Sequence, residues 1–500
     1  MLFKLKSGAI LTLALSAVLN MQAFADFNGG PGIGLPENVG ETTETYDPYK
    51  YVPPAPDGGP GVSSGGDEYK GEENKGPGES LNEGPAEENT DPSITWEQGG
   101  VEADPVLGLV PEIHAQMLKT DGYLTDGFTS NMQAFSSPTD GFSALKLSLG
   151  GGIGDVFYRT YTAEHGWSQW AMNEMISTFY NDFAKVQAIQ VRTKGYTRNL
   201  YDTYYQVTLN DGTVLDWAHD GQTAGAIGDG RYIQSIQFKL WKKDLPFARP
   251  TKNHMAAANY EGIIFDAEGK AHYSTYNGQP YTGWAYDTAN NKYYFSNSEI
   301  VTGWQYIDGY KYYFDESGKV VTDLEPIIGI TNDYKLKLNK SMKTLTVYAK
   351  DGDNGYIIPA KVILTTIGPA TPIGTFKIYQ KYRWKFMHDN IYCQYSSRFY
   401  NGFLLHSIIY EDEPDSYHLN AGTYNYHGKI QSDGCVRMLS GDAAWIFNNC
   451  KNGTEITIYE DEYIMGPFDR PAIEQAIPMD QNYDPTDPEI VAASKVDAVQ

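Results

Sequence analysis

Two short segments in the C-terminal third of the chain contain residues that together could carry out covalent acyl transfer. The first is FLLHSIIY (403–410), in which His406 closes an apolar run, and the second is SDGCVRML (432–439), which contains Cys435. A cysteine reacts as its thiolate, so a base, a cation or backbone amides must help it to lose its proton. A cysteine with a histidine beside it is the minimal pair for nucleophilic catalysis. We therefore expect an imidazole from a neighbouring strand to hold this sulfur ionised.

The residues around the thiol suit this chemistry. Gly434 has no side chain, which lets backbone N–H groups crowd toward a reacting carbonyl. Arg437 carries a cation two residues beyond the cysteine. His418 and His427 lie between the two segments, so either is an alternative base. We prefer His406, because a strand end can hold its ring rigidly.

The elements that must position these residues are mainly strands. Alternating or continuous apolar runs bounded by turn residues predict strands, and one longer pattern predicts a helix. The predicted strands are YKLKLN (334–339), LTVYAK (345–350), IIPAKVILTT (357–366), GTFKIY (374–379) and GTEITIY (453–459), and the predicted helix is GDAAWIFNNC (441–450). This part of the chain is therefore expected to be rich in β-structure.

These segments resemble the L,D-transpeptidase catalytic domain of the YkuD type. That motif is an apolar strand ending in His, then Ser/Thr-His-Gly-Cys followed by an apolar residue and Arg or Asn. The resemblance extends to TIGPATPIGTFKIYQKYRW (366–384), YCQYSSRF (392–399) and DAAWIFNNCKNGTEITIY (442–459). It covers residues 325–465 and implies a β-sandwich with the cysteine on one sheet.

The resemblance also implies roles for individual residues. Cys435 is the nucleophile, His406 its base, and Ser407 follows the histidine and orients the ring through its carbonyl. Gly434 and Cys435 supply amides to an oxyanion hole. The substrate-binding candidates are Arg437, Ser432 and Tyr395. Arg437 could grip a substrate carboxylate through two hydrogen bonds or brace the loop, and we favour bracing slightly. Asp433 stands where the motif has a second histidine, and a carboxylate there would raise the pKa of the thiol unless it points away.

The reaction implied is peptidoglycan cross-linking. Through the resemblance, the cysteine attacks the third, L-centred residue of a tetrapeptide stem, expels D-Ala and passes the acyl group to an amine, giving a 3→3 cross-link. No cofactor is needed. Transfer to water would make the protein an L,D-carboxypeptidase, and loss of activity would leave a surface-binding protein.

Two other uses of the cysteines and histidines are weaker. Zinc could use His406, His418, His427, Cys435 and Cys450, but their spacing fits no zinc motif, so we expect no metal. A disulfide could form instead, and the pair that leaves the nucleophile free is Cys393 with Cys450.

Two repeat regions precede this domain. Residues 258–323 contain TGW and YYF motifs that recur about every 20 residues and predict stacked β-hairpins. They resemble the choline-binding-type cell-wall repeat, in which aromatic side chains bind a sugar or a quaternary amine. The corresponding candidates for a wall polysaccharide or teichoic-acid-like ligand are Trp284, Trp304, Tyr294 and Tyr313.

The earlier region, residues 105–245, repeats more weakly. VQAIQV (186–191) recurs as IQSIQF (233–238) after about 47 residues, and FSALKL (142–147) is a more divergent copy that lies earlier in the chain. The pattern is similar to the clostridial hydrophobic repeat with a conserved tryptophan (ChW repeat), a family associated with cell-surface attachment. These alternating segments predict β-rich repeat units.

The N-terminal residues indicate export, and the segments outside the predicted domains are read from their composition. Residues 1–25 have a basic start, an apolar run and a small-x-small cleavage site, as in a signal peptide. Residues 26–104 are rich in Gly, Pro and acidic residues and predict a disordered spacer, and residues 466–500 predict an extended strap. The net charge of −25 argues against nucleic acid as a partner. We expect a secreted, wall-associated protein without a membrane span after cleavage.

Overall fold

The computed structural model describes residues 103–104, 106–130, 135–136, 140–178, 183–257, 259–388, 390–462 and 465–497. The predicted signal peptide (1–25) lies outside these residues. So does the predicted spacer (26–104), except for residues 103 and 104. The fold is mainly β, as the sequence predicts. Among the described residues, no helix combines the length and apolar character needed to cross a membrane.

The N-terminal repeat region contains three sheets. Its elements are β1 (Glu112–Lys119), β2 (Phe128–Thr129), β3 (Phe135–Ser136), β4 (Phe142–Gly150), β5 (Asp155–Thr162), β6 (Gly166–Trp167), β7 (Ala171–Met172), β8 (Val186–Lys194), α1 (Tyr196–Leu200), β9 (Tyr201–Leu209), β10 (Ala218–His219), β11 (Ala224–Gly225) and β12 (Ile233–Lys242). Each sheet is built on one long antiparallel pair: β1 with β4, β5 with β8, and β9 with β12. The apolar side chains of all three pairs meet in one core, and the three predicted repeat strands are β4, β8 and β12.

The central region consists of aromatic hairpins. Its strands are β13 (Gly262–Phe265), β14 (Ala271–Ser274), β15 (Gly283–Tyr286), β16 (Lys292–Ser296), β17 (Glu299–Ile300), β18 (Gly303–Ile307) and β19 (Tyr310–Phe314). The turn between β18 and β19 is Asp308-Gly309, and both residues have positive φ (51° and 80°). A two-residue turn of this kind matches the twist of its strands, and Asp-Gly is a favoured sequence for it.

The C-terminal region holds two mixed sheets. Its elements are α2 (Glu325–Ile328), β20 (Tyr334–Asn339), β21 (Thr344–Ala349), a short 3₁₀ helix (Gly352–Asn354), β22 (Ile358–Leu364), β23 (Gly374–Lys377), β24 (Gln380–Phe386), β25 (Ile391–Tyr400), β26 (Phe403–Ser407), β27 (Tyr410–Glu411), α3 (Ala421–Asn425), β28 (Val436–Met438), α4 (Ser440–Asn449), β29 (Glu455–Tyr459) and α5 (Pro488–Asp497).

These strands form two sheets that share a core. The strand order is β22-β21-β20-β29-β23 in one sheet and β24-β25-β26-β28 in the other, with β27 beside β25. Side chains from both sheets and from α4 form that core. The strands and the helix predicted here are confirmed, with small differences at their ends.

The C-terminal tail is extended only in part. Up to Asp487 it crosses the surface without strands, but from Pro488 it forms α5, so the prediction of an extended strap is wrong there. Pro at the first helical position and Glu489 in the first turn favour a helix start. The tail contacts the catalytic region through buried carboxylates: Asp487 accepts from Gln394 at 2.6 Å and Asp484 accepts from the Ser440 amide at 2.7 Å.

A buried ion pair joins the tail to both repeat regions. Arg192, whose side chain is 1% exposed, donates to Asp469 at 2.7 Å. Asp469 also accepts from Tyr286 at 2.6 Å and from Lys292 at 3.3 Å. Burial raises the pKa of Asp469, but Lys292, Arg192, Lys194 and the Tyr286 hydroxyl together lower it more, and the net pKa lies well below its ordinary value. The ion pair therefore fastens strand β8, a hairpin and the tail to one another.

Replacing this carboxylate should destabilise the protein. In Asp469→Asn, Arg192 stays buried without a counter-charge, so we expect the free energy of unfolding to fall by about 3 kcal/mol in chemical denaturation. The matched control is Asp229→Asn, which removes a partner of Arg231 in an ion pair exposed by roughly a third. That change should cost less than about 1 kcal/mol. Equal losses in the two variants would contradict the assignment of Asp469 as the fastening residue.

Candidate active site

Strand β26 places His406 next to the segment that carries Cys435. It runs parallel to β28, and His406 is paired with Arg437 and Leu405 with Val436. One step earlier in the same register, Cys435 lies beside Leu404. The two predicted segments are therefore neighbouring strands, as the sequence analysis requires.

Alternation along these strands puts the reactive groups on one face of the sheet. Successive side chains of a strand point to opposite faces, and paired residues point to the same face. Leu405 and Val436 belong to the core between the sheets. Hence His406, Arg437 and Cys435 face the other way, away from that core. The thiol and the imidazole share a face on adjacent strands.

The His406 ring is held in one tautomer. Its side chain is buried, and Nδ1 donates to the Ser407 carbonyl oxygen at 2.6 Å. Within the described residues Nε2 is buried and has no hydrogen-bond partner. Burial first, and then the Arg437 cation, lower the pKa of this imidazole to about 3. The ring is therefore neutral at ordinary pH, with the lone pair of Nε2 available to accept a proton.

The Cys435 thiol is half-buried, and its pKa is raised. Burial is the main cause, whereas the Leu404 backbone and Arg437 oppose the rise; Asp433 adds to it, in the direction that the sequence suggests. A raised thiol pKa and a lowered imidazole pKa both favour neutral groups. The resting pair is thus a thiol and an imidazole, and burial is the reason that it differs from the ionised sulfur expected from sequence.

The loop that carries Cys435 is fixed by a segment to which the sequence analysis assigned no site role. Thr371 Oγ1 donates to the Gly434 carbonyl at 2.9 Å and accepts from the Gly368 amide at 3.1 Å. A Cβ on Gly368 would lie 1.7 Å from the Ser432 carbonyl oxygen, so only glycine fits there. The Ser432 hydroxyl donates to the Cys435 carbonyl at 2.7 Å. The TIGPATP sequence, quoted above only as part of the resemblance, is the signal that could have identified Gly368 and Thr371.

Gly434 is itself confined by its neighbours. A Cβ at this position would lie 2.5 Å from a ring carbon of Phe403 and 3.1 Å from the Ala370 backbone. These contacts give a steric reason for glycine before the cysteine. Ser432, which the sequence analysis placed in substrate binding, is buried, and its hydroxyl donates to the Cys435 carbonyl within this loop.

The alternative histidines have other surroundings. Both ring nitrogens of His427 are engaged: Nδ1 lies 2.9 Å from Thr366 Oγ1, and Nε2 lies 3.0 Å from the Leu364 carbonyl oxygen. His418 follows β27, which pairs with the start of β25 rather than with β28. Of these three histidines, all of which the structure describes, His406 alone is in register with β28, the strand that follows the thiol.

The other predicted substrate residues are also placed. Arg437 is 5% exposed, and its backbone N–H and C=O pair with Thr366 at 2.8 and 2.9 Å. Tyr395 is buried, with the Arg383 guanidinium 4.0 Å above its ring and Phe447 at its edge. It belongs to the core on the far side of the sheet, so the structure does not bring it together with the thiol. The Ser407 hydroxyl accepts from the backbone N–H of Gln394 at 2.9 Å.

Comparison with known families identifies this part of the chain. Residues 333–458 match the family described as the L,D-transpeptidase catalytic domain. This region is an L,D-transpeptidase domain. Residues 282–300 and 302–320 match the cell wall binding repeat. The L,D-transpeptidase domain is therefore preceded by cell-wall repeats, as the sequence predicts.

Several solved structures with similarity to this chain are L,D-transpeptidases. The enzyme of Stackebrandtia nassauensis is 20% identical over 26% of this chain and 56% of its own, with a TM-score of 0.20. L,D-transpeptidase 1 of Mycobacterium tuberculosis is 20% identical over 25% and 61%, with a TM-score of 0.19. L,D-transpeptidase 3 of that organism, solved with a faropenem-derived adduct, is 18% identical over 26% and 60%, with a TM-score of 0.20. The chain spans less than two thirds of these relatives, and no curated protein matches it.

The remaining cysteines of the L,D-transpeptidase domain are free and buried. Cys393 and Cys450 form no disulfide with each other or with Cys435. Burial raises the pKa of both thiols to about 12. Within the described residues, no group of three or more His, Cys, Asp and Glu side chains could hold a metal ion.

In the wall-repeat region, lysines lie over the predicted ligand-binding aromatics. Trp284 packs on Tyr312 and Phe314, and Lys292 Nζ lies 4.6 Å from its ring centroid. Trp304 is 37% exposed and carries Lys311 at 5.2 Å. The two predicted tyrosines complete edge-to-face pairs, Trp284 with Tyr294 and Trp304 with Tyr313, at 5.1 Å each.

Both lysines are themselves fixed by carboxylates. Lys292 reaches Asp469 of the tail at 3.3 Å, and Lys311 reaches Asp351 of the L,D-transpeptidase domain at 2.7 Å. The hairpins thus join neighbouring parts of the protein through the same cations that cover their tryptophans. A ligand cation would have to displace these lysines, whereas the exposed part of Trp304 could still stack on a sugar.

Proposed function

We propose that this protein is a peptidoglycan L,D-transpeptidase that forms 3→3 cross-links through a cysteine thioester. The observation that carries the proposal concerns Nε2 of a neutral, buried His406. This nitrogen has no hydrogen-bond partner among the residues that the structure describes, and it lies on the sheet face that also presents Cys435. A base with a free lone pair beside a nucleophile is the arrangement that acyl transfer needs.

The reaction proceeds in two steps. In the first, Nε2 of His406 takes the proton from Cys435 Sγ as the sulfur bonds to the carbonyl carbon of the third stem residue. The C–N bond to D-Ala then breaks, and His406 gives the proton to the departing amine. In the second, the amine of an acceptor stem loses a proton to His406 and attacks the thioester. The C–S bond breaks, and the thiol recovers its proton.

The surrounding residues prepare these steps. The carbonyl of Ser407 keeps the proton of His406 on Nδ1, which leaves Nε2 as the base. Amides at Gly434 and Cys435 stabilise the oxyanion, and the hydrogen bonds of Thr371 hold their loop. Because proton transfer accompanies attack, the neutral resting pair is compatible with this mechanism.

The repeat regions supply attachment. We assign the hairpins at residues 258–323 to a wall polysaccharide or teichoic-acid-like ligand, with stacking on Trp304 as the main contact. The ChW-like region at residues 105–245 adds a second surface-attachment module. The protein would then act outside the membrane, on stem peptides within the wall.

The products formed on isolated wall material test the proposal. Purified protein is incubated with sacculi, and the muropeptides are identified by mass spectrometry. New 3→3 dimers and released D-Ala are expected, and neither should form with Cys435→Ala. Tripeptide stems without dimers would replace the proposal by an L,D-carboxypeptidase, and unchanged muropeptides by a binding protein without catalysis.

A further inference from the structure

Arg398 lies on the same face as the nucleophile, one strand further away. In β25, Arg398 is paired with Leu404 of β26. On the other side of Leu404, the register of β26 with β28 places Cys435. Paired residues point to one face of a sheet, so Arg398, Leu404 and Cys435 form a row across the sheet, all directed away from the core.

Within the described part of the chain, the guanidinium of Arg398 has no acidic partner. Five other arginines form ion pairs with carboxylates: Arg192, Arg198, Arg231, Arg383 and Arg470. Among the described residues Arg398 forms no ion pair; it donates to Gln380 Oε1 at 3.2 Å and lies 5.3 Å from the Tyr382 ring centroid. Its buried Nε has no hydrogen-bond partner in the same set of residues. A half-buried cation without a counter-ion is costly unless a ligand supplies one.

Arg398 is also the more accessible of the two cations near the thiol. Arg437, for which the sequence leaves both a carboxylate-gripping and a bracing role open, is 5% exposed. Arg398 is half-buried, so a substrate can reach it. Its positive charge acts at the thiol, whose pKa it lowers against the larger effect of burial.

We propose that Arg398 binds a carboxylate of the donor stem peptide and so positions the scissile carbonyl over Cys435. This role rests on the proposed function. The planar guanidinium can hold a carboxylate through two parallel hydrogen bonds. Two strand spacings put the Cα atoms of Arg398 and Cys435 about 10 Å apart. An extended peptide advances about 3.3 Å per residue, and the Arg398 side chain spans part of the separation, so the bound carboxylate lies no more than about three residues from the carbonyl under attack.

Two carboxylates of a donor stem meet this condition. One is the terminal carboxylate of the departing D-residue, and the other is a side-chain carboxylate on the third residue. Both offer the same chemistry to Arg398, and peptides amidated at one position or the other distinguish them.

The first experiment needs no turnover of peptide. Iodoacetate carries a carboxylate and iodoacetamide does not, yet both alkylate thiols. Peptide mapping gives the two rates at Cys435 in the full chain. In Arg398→Gln we expect the ratio of the iodoacetate rate to the iodoacetamide rate to fall at least about fivefold, whereas Arg398→Lys keeps most of it. Arg231→Gln, in the N-terminal repeats, is the control and should leave the ratio unchanged. An unchanged ratio in Arg398→Gln overturns the proposal.

The second experiment uses donor tetrapeptides with a free terminus, an amidated terminus or an amidated third side chain. Arg398→Gln should raise KM about tenfold or more on the peptide that retains the bound carboxylate, with kcat within about threefold. On the peptide that lacks this carboxylate, the variant and the wild type should have similar KM. An equal loss on every peptide overturns the proposal. If the wild type accepts no donor but the alkylation ratio still depends on Arg398, the proposed function fails and the anion-binding role stands.

Discussion

Cys435→Ala should lose acyl-enzyme formation completely and lower cross-linking by about a thousandfold or more. Removing a nucleophile that acts together with its base removes nearly all of the chemical rate enhancement. The side chain is only half-buried, so we expect little change in the free energy of unfolding. The measurement is the mass of intact protein after reaction with a carbapenem, whose strained amide carbonyl acylates a nucleophile, together with the rate of cross-linking.

Cys450→Ala is the matched control for this variant. Cys450 lies at the end of α4 with its thiol in the core, and burial raises its pKa to about 12. The control should lose about 1 kcal/mol of stability through the small cavity that it creates, but it should be acylated like the wild type. Adduct formation that persists in Cys435→Ala would mean that another residue is the nucleophile.

His406→Gln should lower the acylation rate about a thousandfold at pH 7, which lies within the range for loss of a general base. The difference in acylation rate between the variant and the wild type should shrink as pH rises, because a Cys435 thiol that is already deprotonated at high pH no longer needs the imidazole as a base. In the wild type the pKa of His406 is about 3. The neutral base is then fully present above that pH and is lost only as pH falls through it. Hence the wild-type rate should have no inflection near 6.5, the ordinary pKa of histidine.

His427→Gln separates this role from the effect of losing any buried histidine. Both ring nitrogens of His427 hold neighbouring segments, so the variant should be less stable. Its acylation rate per folded molecule should stay within about tenfold of wild type, and high pH should give no recovery. If His427→Gln, and not His406→Gln, shows recovery at high pH, the base has been misassigned.

Much of the catalytic domain can be predicted from local patterns. YKLKLN and GTEITIY have the apolar patterns of buried strands, and the structure places them as β20 and β29. Their parallel pairing could not be predicted in this way, because it depends on contacts between residues distant in sequence. For the same reason, the reactive pair could be proposed from two short motifs, whereas its register could not. The sequence indicates Tyr395 as a substrate-binding residue only through its place in a motif, whereas its positive φ of 52° and its core contacts depend on the packed sheet.

The electrostatic state of the site was the least predictable part. A cysteine near a histidine and an arginine suggests an ionised pair. The structure makes burial the largest contribution to both pKa values, and burial opposes both charges. The role proposed for Arg398 could not be predicted from the sequence, because it depends on the strand register that places this residue level with the thiol.

The uncharged state of the resting thiol has a consequence for durability. Oxidants attack thiolates far faster than thiols, and oxidation of Cys435 to a sulfenic acid would prevent the sulfur from acting as a nucleophile. Cys393 and Cys450 are buried and remain protonated, so they resist the same damage. On the proposed function, which places the protein in the cell wall and away from cytoplasmic reductants, the protonated thiol would stay intact until a substrate arrives and the proton is removed.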